Sequence, residues 1–301
     1  PDEEADAPAE GEEPKMKSVP VTTEGYETMN LQKPIWVRSP RQVNESEYFE
    51  FYKSTFKAYD TPAAFSHFAL EGQVQFRSVL FVPATLPFEL SRNMFDESSH
   101  GIKLYVKRVF INDRFEDLLP RWLTFIRGVV DSEDLPLNVG RETLQKSRML
   151  SIINKRLVRK CLDMFNEIAA KDDGTPEGEY AKFWSNFGKY LKVGIVEEPD
   201  YKDELAGLCR FWSTKSGDQY TSLADYVSRM QTNQTQIFYV TGDGKQAAAM
   251  SPVLEKLRSL DYEVLYMTEP LDELTAQSIA AFKGDAGEDG AQAEYDLVDA
   301  A

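Results

Sequence analysis

Two short apolar runs, Gln236-Ile-Phe-Tyr-Val-Thr241 and Tyr262-Glu-Val-Leu-Tyr-Met267, flank a helical stretch at Lys245–Leu260. Two strands joined by one helix of this length lie parallel, with a right-handed crossover. That unit commits this part of the chain to an α/β layer, because a parallel pair needs helices to cover it.

The remaining elements are read from hydrophobic period. Tyr48 to Phe56 carries aromatics at helical spacing, and Thr61-Pro62 stops it. Gln73–Val82 alternates and then turns wholly apolar, as a strand does when it becomes buried on both faces. Ile102–Ile111 alternates until Lys107-Arg108, where the phase slips by one residue, as at a bulge. Pro120 opens a short helix with Trp122, Leu123, Phe125 and Ile126, and Gly128 closes it. A long helix is predicted from Arg141 to about Ala170, because Leu144, Leu150, Ile153, Leu157, Cys161, Met164 and Ile168 recur at three or four residues. A polar turn at Lys171–Glu179 leads to helices near Tyr180–Leu191 and Asp203–Phe211. The result is two α/β units joined by helices. Acidic ends at 1–18 and 285–301 are too poor in apolar groups to fold.

Composition excludes several functions. The chain has 301 residues, room for about two domains. No apolar run approaches the ~18 residues of a membrane helix, and the acidic start is no signal peptide, so the numbering is expected to begin inside a longer protein. A net charge of −16 opposes general nucleic-acid binding, which needs Lys and Arg to displace counterions. Cys161 and Cys209 have no C-x-x-C spacing and read as packed free thiols rather than a disulfide or zinc site. His67 and His100 cannot supply a His-rich metal centre, so no metal site is expected.

Thr241-Gly-Asp-Gly-Lys245 follows a strand but lacks the spacing and the Ser or Thr of a phosphate loop, and reads as a strand-to-helix turn. No G-x-S-x-G or Ser, His and acid set is present. The sequons at Asn44 and Asn233 matter only in a secretory compartment. Trp36, in a polar neighbourhood, is either a half-exposed docking point for a partner or part of the core.

Asp131–Lys146 carries the chemistry. Pro136 keeps its predecessor extended and Asn138 is suited to cap the helix that follows. Arg141 then falls in the first helical turn, where the helix dipole disfavours a cation by about 0.3–1 kcal/mol. Three readings stay open: a phosphate contact, a salt bridge to Asp131, Glu133 or Asp134, or a solvated residue. Arg suits phosphate because its planar fork donates two bonds and keeps its charge. Gln145, four residues on, shares the helix face. Arg141, Lys146, Arg148, Lys155, Arg156, Arg159 and Lys160 make this helix basic, which points either to an acidic partner or to a solvated face.

Asp131-Ser-Glu-Asp-Leu-Pro-Leu-Asn-Val-Gly-Arg-Glu-Thr-Leu-Gln145 resembles the middle-domain signature of the heat-shock protein 90 chaperone family. Lys33-Pro-Ile-Trp-Val-Arg38, Glu50-Phe-Tyr-Lys53, Val79–Pro83, Ile102–Ile111, Phe125–Asp131, Thr221–Val227 and Thr268–Glu273 match in the same order. Tyr26-Glu-Thr-Met-Asn30 and Leu157–Met164 lean toward its endoplasmic-reticulum branch.

The resemblance implies an α/β fold of two α/β/α sandwich subdomains, large then small, joined by a helical connector. The ranges are an acidic linker 1–18, large subdomain 19–150, connector 151–191, small subdomain 192–284 and acidic tail 285–301. It implies a dimeric ATP-dependent chaperone, with Arg141 reaching the γ-phosphate of ATP held by an N-terminal domain, and Gln145 and Asn138 supporting the loop. Trp36 and Phe95 match client-contact positions. ATP and Mg are the cofactors of the full-length protein; this segment alone is expected to bind neither and to hydrolyse little. Implied partners are the N-terminal ATPase domain, the C-terminal dimerisation domain, client proteins and cochaperones, in the endoplasmic-reticulum lumen or alternatively the cytoplasm. Departures are Gly140 for the usual Ser, Lys146 for a common Gln, and a longer Lys171–Glu179 turn. The rival reading is a stand-alone adaptor that binds an acidic partner through the basic helix and Trp36.

Overall fold

A computed structural model describes residues 33–72, 74–95, 101–113, 118–135, 148–232, 234–285 and 292–300. The chain divides into Pro1–Lys33 and Pro34–Ala301, and the described helices and strands all lie in the second unit.

After a 3-10 turn at Ile35–Val37, helix α1 spans Glu45–Phe56. Its start is fixed by the Glu47 carboxylate, which accepts the Asn44 N–H at 3.1 Å, half of a capping box. The helix ends at Lys57 in the left-handed region (φ 53°), before the Thr61-Pro62 stop that the sequence suggests.

Strands β1 (Ala64–Leu70), β2 (Phe76–Val82), β3 (Ile102–Val106), β4 (Val109–Asn112) and β5 (Arg127–Ser132) form a sheet in the order β1-β2-β5-β3-β4, with the short helix α2 at Phe88–Arg92. In β2, Val79 and Phe81 face α1, while Phe76, Leu80 and Val82 face the opposite core, so both faces are covered. Lys107-Arg108 itself is a turn, and the bulge lies beside it: Leu104 pairs with Asn112 and Tyr105 with Phe110, which leaves Ile111 as the extra residue. Both turn residues are left-handed (φ 50° and 68°), as a two-residue type I′ hairpin between β3 and β4 requires. Gly128 lies inside β5 and closes no helix. A Cβ there would stand 2.7 Å from the Val79 carbonyl oxygen, so β2 and β5 need the bare backbone.

Helix α3 (Arg148–Ala169) buries Leu150, Ile153, Leu157, Cys161, Met164 and Ile168, the stripe that the sequence marks. Helix α4 runs Glu179–Glu197 and stops where Pro199 restricts Glu198. The expected boundaries at 150/151 and 191/192 therefore cut through continuous helices. Phe125 stacks on Phe187 at 4.3 Å and lies 5.9 Å from Phe165, which locks both helices to the first sheet. Cys161 and Cys209 are free and buried, and burial pushes the Cys209 thiol up to about 12.

Helix α4 lies close against its neighbours at Gly194, where a Cβ would meet the Trp122 ring at 2.8 Å and Leu205 at 3.0 Å. Gly194→Val is expected to cost about 1–3 kcal/mol through overpacking. Gly207→Ala, with open space around it, should gain a few tenths to about 1 kcal/mol of helix propensity. Urea melts of the two variants check both signs.

The second sheet follows helix α5 (Lys202–Leu208). Its strands are β6 (Trp212–Ser213), β7 (Gln236–Thr241), β8 (Val264–Met267), β9 (Ala281–Asp285) and β10 (Gln292–Asp299), in the order β6-β8-β7-β10-β9. Helix α6 (Leu223–Ser228) precedes β7. As expected, β7 and β8 are parallel. Their connection is broken into α7 (Lys245–Ala249) and α8 (Leu254–Ser259), with Pro252, which lacks an N–H, in the gap. Helix α9 spans Pro270–Ile279.

The expected unstructured tail at 285–301 is corrected by β10, which pairs parallel to β7 and antiparallel to β9. Ala293, Tyr295 and Leu297 turn inward while Glu294 and Asp296 face water, so the acids supply the polar half of a strand.

Candidate functional site

Strand β5 delivers the chain into the Asp131–Lys146 segment, and its end is tightly held. The Ser132 hydroxyl accepts the N–H groups of Asp134 and Leu135, both at 3.3 Å. Asp134 accepts the Gln75 N–H at 2.6 Å, and the Glu133 N–H donates to the Gln75 carbonyl at 3.0 Å. Leu135 is buried, as is Leu150 in the first turns of α3. The intervening segment thus leaves one fixed point and returns to another. Asn138, Gly140, Arg141, Gln145 and Lys146 lie outside the described residues.

Of the three acids offered as partners for Arg141, two already hold donors. Asp134 serves Gln75. Asp131, only 5% exposed, accepts Trp36 Nε1–H on Oδ2 at 2.9 Å and the Arg108 N–H on Oδ1 at 3.1 Å.

Trp36 is 8% exposed, so the half-exposed docking reading is corrected in favour of the core. Its ring packs between Tyr105 (4.9 Å) and Phe51 (5.9 Å), and Arg77 fixes the adjacent Val37 carbonyl at 2.7 Å. His67 meets the Tyr48 hydroxyl at 2.6 Å beneath the same turn, and burial lowers its pKa. Phe95 is half-buried, edge-on to Tyr190 at 6.4 Å with the Arg121 guanidinium 4.9 Å above it; Arg121 pairs with Glu197. Phe88 on α2 is the aromatic that sequence reading missed. It stands 71% exposed while Leu90 of the same helix is buried, an amphipathic signal too short to stand out.

On α3 the basic stripe is divided. Arg159 pairs with Glu204 at 2.7 Å and with Asp163 at 3.3 Å, and Lys160 pairs with Asp163 at 2.9 Å. Arg148, Lys155 and Arg156 are exposed, and no ion pair among the described residues involves them. Lys245, in the glycine-flanked turn, is occupied by the Gly217 carbonyl (2.7 Å), Asp218 (2.9 Å) and the Trp212 ring (4.3 Å), as suits a structural turn. Among the described residues no group of three or more His, Cys, Asp or Glu could hold a metal ion, and no helix is long and apolar enough to cross a membrane.

The chain matches the family described as Hsp90 protein over residues 1–299. It is 43% identical to an endoplasmin homolog of Hordeum vulgare, covering 90% of this chain and 36% of that protein. It is 45% identical to heat shock protein 83 of Leishmania donovani (89% and 58% covered) and 44% identical to the chloroplastic heat shock protein 90-5 of Arabidopsis thaliana (93% and 36%). It therefore spans between 36% and 58% of the length of these relatives. The three identities differ by two percentage points at most, so they carry the family and not the compartment. A solved middle domain of a Plasmodium falciparum heat shock protein superposes with a TM-score of 0.75 at 44% identity, covering 89% of this chain and 99% of that one. The two mixed sheets with their helices are thus a middle-domain fold, and the chain belongs to the Hsp90 family.

Proposed function

We propose that this segment completes the ATPase site of a molecular chaperone by supplying Arg141 to the γ-phosphate of ATP held, with Mg, by an N-terminal domain. Asn138 and Gln145 support the loop. The observation that carries the reading is the anchoring of the segment: Ser132, Asp134 and Leu135 at one end and Leu150 at the other leave a cation-bearing stretch between two fixed points. Asp131 and Asp134 already hold donors, which leaves exposed Glu133 as the acid open to a salt bridge with Arg141. The nucleotide, the second protomer, clients and cochaperones all belong to the whole protein, and the compartment we propose is the endoplasmic-reticulum lumen, on the wording of Tyr26–Asn30 and Leu157–Met164, with the cytoplasm as the alternative.

The adaptor reading retains one supporting observation, the exposed Arg148, Lys155 and Arg156. Burial of Trp36 removes its other half. Adding this chain to a separately prepared nucleotide domain separates the two. Turnover should rise with the native chain and stay at baseline with Arg141→Ala; an equal rise with both would overturn the phosphate role.

A further inference from the structure

We infer that Asn44 is the acceptor of an N-linked glycan, set by the fold where its side chain faces water. The inference rests on the endoplasmic-reticulum compartment proposed above. Asn44-Glu45-Ser46 has the acceptor pattern: an Asn, a residue other than Pro, then a hydroxyl. The triplet alone decides little, since such patterns arise by chance. Its place in the fold decides more. Asn44, Glu45 and Ser46 are all exposed, and so are Arg41 and Gln42 before them. Val43 and Tyr48, 8% and 3% exposed, seat the corner between the Pro40–Gln42 turn and α1. The corner thus turns the triplet outward, and a bulky polar chain is tolerated where its root faces water.

The carboxamide nitrogen of Asn44 has no duty that a glycan would interrupt. The bonds that begin α1 run through the Asn44 backbone. Its carbonyl accepts the Glu47 N–H at 3.0 Å and the Tyr48 N–H at 3.3 Å, and its N–H donates to the Glu47 carboxylate at 3.1 Å. Capping by an Asn side chain uses Oδ1 and leaves Nδ2 free. Other asparagines spend that nitrogen: Asn154 on the Leu118 carbonyl at 3.2 Å, Asn166 on Glu204 at 2.8 Å and Asn186 on the Lys182 carbonyl at 2.9 Å. In the transfer, Nδ2 displaces a lipid-linked diphosphate from C1 of the donor sugar. The Nδ2–C1 bond forms, and the C1–O bond breaks with its electron pair leaving on the diphosphate. One Nδ2 proton passes to a base of the transferase. Oδ1 keeps its lone pairs, so the helix start survives in the product.

The test uses the full-length protein purified from its own cells. Peptide-N-glycosidase in heavy-oxygen water removes a glycan and leaves a labelled Asp in place of the Asn, which peptide mass spectrometry reads at position 44. Most copies are expected to carry the label. Asn44→Gln and Ser46→Ala should each abolish it, and Ser46→Thr should keep it. Glu45→Pro is the sharpest variant, because it breaks the acceptor pattern with Asn and Ser in place. Pro suits the first position of α1, and the Asn before it is already extended. The label should vanish in Glu45→Pro while the melting temperature stays unchanged. A label kept there marks deamidation in place of a glycan and overturns the inference. The same proteins carrying an appended secretory leader separate the site from the compartment. A label at Asn44 only in the leader-directed protein rejects the compartment proposed above and leaves the acceptor site standing. A bare Asn44 in folded, leader-directed protein overturns the inference, whatever the state of Asn233.

Discussion

Lys192→Met is expected to destabilise the chain by about 3–5 kcal/mol, the cost of leaving buried carboxylates without their cation. The Lys192 side chain is 5% exposed on α4, and its ammonium lies 2.6 Å from Asp272 and 2.9 Å from Glu269 at the start of α9. Trp184 and Phe211 cover it with their ring faces at 5.3 and 5.8 Å. Asp272, 2% exposed, also caps α9 by accepting the Thr268 and Glu269 N–H groups, both at 2.9 Å. Removing the ammonium strands a carboxylate that cannot leave its cap. Lys192→Met with Asp272→Asn should recover much of the loss, since Asn keeps an acceptor for the cap and carries no charge; urea unfolding of both variants measures the difference. Burial alone would lower the Lys192 pKa, but Asp272 and then Glu269 outweigh it and raise the value. The stabilisation is therefore complete below the ordinary lysine value of about 10.4 and is lost as pH rises through the higher folded value.

Arg141→Ala in the full-length protein is expected to lower ATP turnover by two orders of magnitude or more, since an Arg contributed to a transferring phosphoryl group is worth ~10³–10⁵ in related chemistry. Arg141→Lys should recover only part of it, because an ammonium supplies a point charge where the guanidinium supplies a planar fork. Arg148, Lys155 and Arg156, on α3, are untouched in both variants.

Local pattern revealed what local forces decide. The parallel pair β7 and β8 could be read because each is a short apolar run bounded by turn residues, and the buried face of α3 because Leu150 to Ile168 keep one period. Strand β1 escaped because Ala64-Phe-Ser-His-Phe-Ala-Leu70 has no clean alternation and takes its order from β2, to which it pairs along its whole length. The β3–β4 turn is not legible because Lys107-Arg108 lacks the Gly or Asn that usually marks left-handed backbone, and the bulge of this hairpin falls at Ile111 rather than at the turn. Strand β10 was hidden by its acids, which are half of its alternation. At the candidate site the sequence named Arg141, Gln145 and Asn138, all outside the described residues. It leaves Trp36 open between surface and core for a physical reason: the acceptor that lets a Trp bury its N–H lies 95 residues away and has no trace in Lys33-Pro-Ile-Trp-Val-Arg38.

We propose that Arg141 acts on the transferring phosphoryl group and not on the assembly that brings it there. Single-turnover cleavage of saturating ATP by full-length Arg141→Ala, beside the native protein and with nucleotide affinity measured on the same samples, tests it most directly. A cleavage rate at least ~100-fold lower at unchanged affinity is expected. A native cleavage rate in the variant would contradict it.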